Sequence, residues 1–409
     1  MKTPGRKRAR TAIFVTVLLD LLGFGMILPI LPFYGQQYGA TDFQVGVLFA
    51  SFSAAQLVFA PLLGRLSDRA GRRPVLLATI AASAAAHLVF AFAPSFAVLV
   101  AARVASGAAA ANFGIAQAYM ADVSAPGERA KAMGLVGAAF GMGFVLGPAF
   151  GGLLSLVARV AVPLGAAALG LVNLVLASTW LPESLPPDVR AASRAAPWLD
   201  PRSAAAVVRS GPLFGLMLLL FTVTFCMSMM EATVALLVQA RFGWGDVETA
   251  WLFVFVGVVM VAAQGGLIGF AVARFGETRV IPAGIAAIAA GLGLLAASGS
   301  VPALYLAAAL LALGAGLNAP ATLGLLSRLA GEGSQGGTLG VARSFGALAR
   351  VLGPLGGTWL FGHVSPGAPY WSGGAILAVA LALAGLLLRR VPAAGSAAAV
   401  EAVETAPPI

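Results

Sequence analysis

The chain has 409 residues, 60% of them hydrophobic and 10% charged, where a soluble protein carries about 25% charged residues. That balance excludes a soluble enzyme or nucleic-acid binder, and the net charge of +10 has to be read loop by loop before any partner is inferred. A single cysteine, Cys226, excludes an internal disulfide, and with only His87 and His363 beside it the sequence offers no ligand set for a metal and no cofactor motif.

The first eleven residues hold Lys2, Arg6, Lys7, Arg8 and Arg10 and read as a cytoplasmic tail. The apolar run from about 11 to 34 is longer than a signal-peptide core, contains Asp20, Pro29 and Pro32, and lacks a small-residue cleavage site. It is span 1. Crossing a bilayer takes about 20 residues, and eleven more runs qualify: 44–65, 75–93, 96–121, 131–155, 160–181, 212–240, 249–272, 280–299, 302–327, 336–362 and 371–389. The expected fold is an all-α polytopic membrane protein with twelve transmembrane helices.

Basic residues set its orientation. With a cytoplasmic N-terminus, the even-to-odd connections and both tails hold 21 of the 25, and the opposite side holds only Arg159 and Arg241. Residues 182–211, with five prolines and four arginines, read as a cytoplasmic linker between an N-terminal half at 12–181 and a C-terminal half at 212–390. The segment 391–409, rich in Ala and Pro, is expected to be a disordered cytoplasmic tail.

An internal repeat supports the division. Tyr38 to Asp42 is echoed at Phe242 to Asp246, Gly64, Arg69 and Gly71 at Gly269, Arg274 and Gly276, and Gly147-Pro148 at Gly353-Pro354. Two halves of this kind, with a site at their interface, are the build of a secondary transporter.

Several residues could carry chemistry. Gly64 to Pro74, G-R-L-S-D-R-A-G-R-R-P, packs one acid and four arginines between spans 2 and 3. Gly64 removes a side chain and Gly71 permits a tight turn. Asp68 can cap a helix N-terminus or pair with Arg72, and Asp122 can complete that pairing. Arg69 and Arg73 set topology. Asp20 lies about 12 Å into span 1 at 1.5 Å per residue, where an ionised acid is costly, so reversible protonation is its expected role. The bland alternative is a permanent pairing, for instance with Arg103 in span 4. Arg103 shares a helical face with Gly107, Ala111 and Gly114, which lets its helix pack closely around it; a structural bond to the span 1 backbone is its rival role.

In span 7, Glu231 stands beside Met227, Met229 and Met230, a surface that suits several ligand shapes and equally suits packing. Gly137, Gly141, Gly143, Gly147, Gly151 and Gly152 with Pro148 give span 5 overlapping small-residue spacings and a kink. Gln56, Asn112, Tyr119, Gln264, Asn318 and Arg350 are polar or charged groups that either line a pathway or bond to backbone. His87, alone in an Ala-rich span, reads as a packing residue.

Gly64 to Pro74 resembles the loop signature between helices 2 and 3 of the major facilitator superfamily almost position for position. Leu19 to Pro32, the R-V-A-S-G at Arg103 to Gly107, and G-F-V-L-G-P-A-F-G-G at Gly143 to Gly152 are similar to motifs of its drug:proton antiporter branch, and finer detail around Gln56 is similar to tetracycline-efflux members. The resemblance covers residues 12 to 390. It implies an inner-membrane, multi-pass protein with both termini cytoplasmic, not an enzyme and monomeric, that exports small amphipathic molecules or drugs, antibiotics among them, in exchange for protons. It implies proton coupling through Asp20, Arg103 and Glu231. It also implies a conformational latch at Gly64, Asp68, Arg69, Gly71, Arg72, Arg73 and Asp122, with its other jaw near Gly336 to Thr338, and an antiporter motif at Gly143, Gly147, Pro148, Gly151 and Gly152. One departure stands out: tetracycline-efflux members carry an acid in helix 3 where this chain has Ala86. Two alternatives stay open, a metabolite facilitator or importer of the same fold and a membrane enzyme acting on lipid phosphates.

Overall fold

The computed structural model describes residues 3–125, 128–186, 190, 211–330 and 335–388, so most of the expected linker and all of the expected C-terminal tail lie outside the described residues. Among the described residues there are helices and no strands. Eleven helical stretches among the described residues are long and apolar enough to cross a bilayer. A twelfth, Gln335–His363, is equally long but less apolar because it carries Arg343 and Arg350.

The chain forms two compact units, residues 1–198 with 238–254, and residues 199–237 with 255–409. In the first, α1 (Thr3–Ile27) turns at residues 28–30 into the short α2 (Leu31–Gln36), with Pro32 near its start. There follow α3 (Asp42–Ala70), α4 (Arg72–Ala91), α5 (Phe96–Ala110), α6 (Asn112–Asp122), α7 (Arg129–Ser155) and α8 (Ala161–Trp180). Helix α1 packs on α7 and α8, α4 on α8 and α5, and α3 on α5. Its core includes Ile13, Leu76, Ile115, Tyr119 and Met120, each no more than 1% exposed.

Residues 238–254 belong to this unit. Arg159 pairs with Asp246 at 3.1 Å, and the amides of Gln36 and Gln239 exchange hydrogen bonds. The second unit takes most of α9 (Gly211–Phe242) and part of α10 (Asp246–Ala262). It continues through a π-helical turn at Ala263–Leu267 into α11 (Ile268–Phe275), α12 (Glu277–Ala297), α13 (Val301–Leu329), α14 (Gln335–His363) and α15 (Ala368–Leu388). Helix α12 is its centre, packed on α13 and α15.

Span 4 is not one helix. It breaks at Ala111, where no glycine or proline demands a break. Side chains explain it: Gln56 donates to the Ala110 carbonyl at 3.3 Å, satisfying a group the break would orphan, and Asn112 turns toward α1.

Candidate functional site

Asp20 sits on α1 where α6 and α8 approach it. Its two carboxylate oxygens accept separate bonds, one from Asn112 Nδ2 at 2.9 Å and one from Asn173 Nδ2 at 2.9 Å. Asn173 also donates to the Thr16 carbonyl at 3.1 Å, which fixes it against the same helix. Both asparagines are buried, and Asn173 Oδ1 has no hydrogen-bond partner among the described residues. The acid is therefore held by neutral donors, with an unused acceptor on one of them. Asn112 belongs to the sequence-derived set; Asn173 does not, although it is the one amide in span 6 and that was the available signal.

Arg103 is buried on α5 and does not pair with Asp20. Its Nε donates to the Leu48 carbonyl at 3.3 Å, and its guanidinium stands 4.5 Å from the centre of the Phe52 ring. Both contacts are to α3, so the backbone bond expected toward span 1 is made to span 2 instead. Cation–π contact and a carbonyl together lower the cost of burying this charge. Nearby on α4, His87 is buried with Nδ1 unpartnered.

The glycines of α7 explain how α1 is carried so close. A Cβ at Gly143 would lie 2.5 Å from Leu21 Cβ, at Gly147 2.8 Å from Gly25 Cα, and at Gly151 2.7 Å from the Met26 carbonyl; one at Gly152 would lie 2.8 Å from Ala250 Cβ. The helix continues through Pro148. This seam begins one residue beyond Asp20.

At the other end of the unit, Gly71 closes α3 with φ +110°, open to glycine alone at low cost. Arg72 then gathers Asp68 at 2.5 Å, Asp122 at 3.3 Å and the Ser67 hydroxyl at 2.7 Å, and Ser184 donates to Asp122 at 3.0 Å. Asp68 does not cap α4. That role falls to Glu183, whose carboxylate accepts from the backbone N–H groups of Arg72 at 2.9 Å, Arg73 at 3.2 Å, and Ser184 and Leu185 at 3.0 Å. Glu183 went unread because it lies more than a hundred residues from the helix it caps. Arg73 donates to the Ser178 carbonyl at 2.7 Å. Gly64 has open space around it, and its carbonyl accepts from Ser67.

The remaining candidates separate into ties and open groups. Tyr119 is fully buried and donates to the Pro182 carbonyl at 2.8 Å, and Asn318 is buried and donates to the Ile281 carbonyl at 3.2 Å; each makes the bond to backbone that was the alternative to a pathway role. Gln264 is half-buried in the π-helical turn, Met227 is half-buried, and Met230 is buried. Glu231 is half-buried on α9, and its charge interacts with that of Arg350 on α14. In the second unit the turn that echoes Gly71 has Gly276 at φ +75°, and Glu277 beside it pairs with Arg328 at 2.7 Å. The echo therefore retains an ion pair, although Ala273 stands where Asp68 stands in the first unit.

The family model described as Major Facilitator Superfamily matches residues 13–269 and 265–408. The tetracycline resistance protein, class C, of Escherichia coli is 33% identical over 89% of this chain and 92% of that protein. Major facilitator superfamily domain-containing protein 10 of Bos taurus is 32% identical over 90% of this chain and 88% of its own. The crystal structure of the human organic anion transporter MFSD10 (TETRAN) superposes with a TM-score of 0.72 at 28% identity, covering 93% of this chain and 99% of that one.

Proposed function

The chain belongs to the major facilitator superfamily, and from that premise we propose that it exports small amphipathic compounds across the inner membrane in exchange for protons, with Asp20 as the proton site. It is a multi-pass membrane transporter by family and fold. We further assign it two cytoplasmic termini, a monomeric working state, and six-helix halves at 12–181 and 212–390 joined by the 182–211 linker.

The observation that carries the proposal is the two-amide hold on Asp20. Ionised, the carboxylate takes an N–H from each asparagine, and bonds of this charge-assisted kind contribute about 1.5–3 kcal/mol each. Protonated, it needs an acceptor, and a half-turn of the Asn173 amide supplies the unpartnered Oδ1 at the cost of the bond to the Thr16 carbonyl. Both states of the carboxyl are served without moving a helix, and the Thr16 bond favours the ionised one. A permanent arginine partner would favour the ionised state alone; here Arg103 is occupied elsewhere. In this reading Arg103, held by Leu48 and Phe52 of α3, couples to the site from span 4, the Gly143 to Gly152 seam keeps α1 in register, and Asp68, Arg72 and Asp122 form the latch, anchored by Glu183. The similarity to tetracycline resistance proteins supports export. Ala86 in place of a helix 3 acid argues against tetracycline itself. Likeness to a structure described as an organic anion transporter favours, as a second reading, an anionic metabolite as cargo.

Everted vesicles offered a panel of dyes and antibiotics test this directly. Uptake should collapse on adding a protonophore and in Asp20→Asn. Transport indifferent to both would remove proton coupling through Asp20.

A further inference from the structure

Spans 2 and 8 begin and end alike. At the start of α3 the Gln44 side chain accepts from the Thr41 backbone N–H at 2.8 Å, and at the start of α10 the Glu248 side chain accepts from the Gly245 N–H at 2.9 Å. Both spans close at a glycine of positive φ, Gly71 and Gly276, whose N–H bonds back four residues, to the carbonyls of Ser67 at 3.0 Å and Val272 at 2.9 Å. Between these matching ends span 2 has 29 residues and span 8 has 30. The repeat carries the same difference: Asp42 is echoed 204 residues on at Asp246, whereas Gly64 is echoed 205 residues on at Gly269. One extra residue would turn every later side chain about 100° around an α-helix unless it were absorbed. Span 8 absorbs it between those two marks, at Ala263–Leu267, where the Ile268 N–H reaches back five residues to the Ala263 carbonyl. A Cβ added at Gly265 or Gly266 would meet nothing within 4 Å, so the surplus lies on an open face.

The position of the turn gives it a role. Residues 246–254 of span 8 pack in the first unit, where Asp246 pairs with Arg159 at 3.1 Å, and the residues from 255 on pack in the second. There Ala263, the first residue of the turn, is buried against α13: a Cβ at Gly316 would lie 2.8 Å from Ala263 Cβ and 3.4 Å from the Met260 carbonyl. Glu277, just past the end of the span, pairs with Arg328 of the same α13 at 2.7 Å. One helix is therefore held at its two ends in different units. Span 2 lies wholly in the first unit, and α3 runs unbroken through Pro61.

We propose that the π-helical turn is a one-residue insertion that makes span 8 a hinged helix, bending at Ala263–Leu267 against Gly316 while its two ends stay with their own units. A π-helical turn is one of the few features that let a helix kink, and an uninterrupted helix divided in this way would resist any shift of one unit against the other. The register on both sides of the turn matches that of span 2, so the extra residue serves bending and not the placing of side chains. The inference rests on the transport reading above only for there being a movement to accommodate.

The test is deletion of Gly265 from the full-length protein in phosphatidylcholine nanodiscs, with deletion of Ala309 from the uninterrupted α13 as the control. Without Gly265 span 8 has the length of span 2 with both ends in register, so the variant should elute as wild type does and melt within about 4 °C of it. Deletion of Ala309 turns half of a buried helix and should prevent folding. Amide hydrogen exchange over residues 260–270, read by mass spectrometry, should be about ten-fold faster in wild type than in the Gly265 deletion, because the hinge has become continuous α-helix. In everted vesicles, uptake of the best-transported compound of the panel above should fall about ten-fold in the deletion. Aggregation of the Gly265 deletion as severe as that of the Ala309 deletion overturns the insertion. Wild-type exchange or wild-type uptake in a folded deletion overturns the hinge. So does wild-type protein in which 260–270 exchanges no faster than 306–316 of α13, a readout that needs no variant. Should wild type move nothing in the panel, the transport reading fails by itself, and folding and exchange still decide the hinge.

Discussion

Helices α7 and α14 occupy matching places in the two units and carry the same Gly-Pro pair, Gly147-Pro148 and Gly353-Pro354. Each is pressed against the helix that carries Asp20 or Glu231. A Cβ at Gly147 would meet Gly25 of α1 at 2.8 Å, and one at Gly353 would meet the Phe225 carbonyl of α9 at 2.6 Å. Their other positions diverge. Counting by the same shift, Arg343 and Arg350 of α14 fall on Gly137 and Phe144 of α7, Asp20 falls on Cys226, and Glu231 falls on Gly25. The repeat keeps the seam and redistributes the charge. One unit holds a carboxylate with two amides; the other sets a carboxylate against an arginine, Arg350. The turns repeat the lesson, with Gly71 and Gly276 in the same left-handed region while the ion pair beside them reverses sign, from Arg72 with Asp122 to Glu277 with Arg328.

If the seams are equivalent, the largest effects come from filling them. Gly147→Leu and Gly353→Leu should each reduce transport by about 100-fold or prevent folding, because overpacking at backbone contact costs about 1–3 kcal/mol or more. Gly137→Ala, where no atom lies within 4 Å of the added Cβ, should be tolerated. Size-exclusion profiles with vesicle uptake would check all three, and a tolerated Gly353→Leu would break the comparison.

The next effect separates the two acids. Asn173→Leu removes one of the two bonds to Asp20 and should lower proton-driven uptake about ten-fold, whereas Glu231→Gln should leave the dependence on a proton gradient in place. Uptake measured with and without protonophore distinguishes them.

The smallest effects lie at the turns. Arg72, 11% exposed and joined to Asp68, Asp122 and Ser67, should cost about 1–2 kcal/mol of stability on truncation to Ala. Arg328, 35% exposed with Glu277 as its ion-pair partner, should cost about 0.5 kcal/mol. Thermal melts of the two variants in detergent would show whether the pairs are as unequal as their surroundings.

Much of this was legible in the sequence. Long apolar runs gave the spans, because backbone groups in lipid must be satisfied within each helix, and the spacing of glycines in α7 gave its seam. What escaped was long-range and specific. Nothing local marks Ala111 as a break, since Gln56 and Asn112 impose it from the side. Asn173 was visible as a lone amide but could not be assigned to Asp20, 153 residues away, without the packing of α8 on α1.

The central claim is that protons exchange at Asp20, and proton movement itself tests it most directly. Everted vesicles containing the protein and a lumenal pH-sensitive dye, energised to an acidic interior, should release protons when a transported compound is added. Asp20→Asn should abolish that release while exchange of labelled for unlabelled compound, without any gradient, persists. Proton release from Asp20→Asn at the wild-type rate would contradict the account.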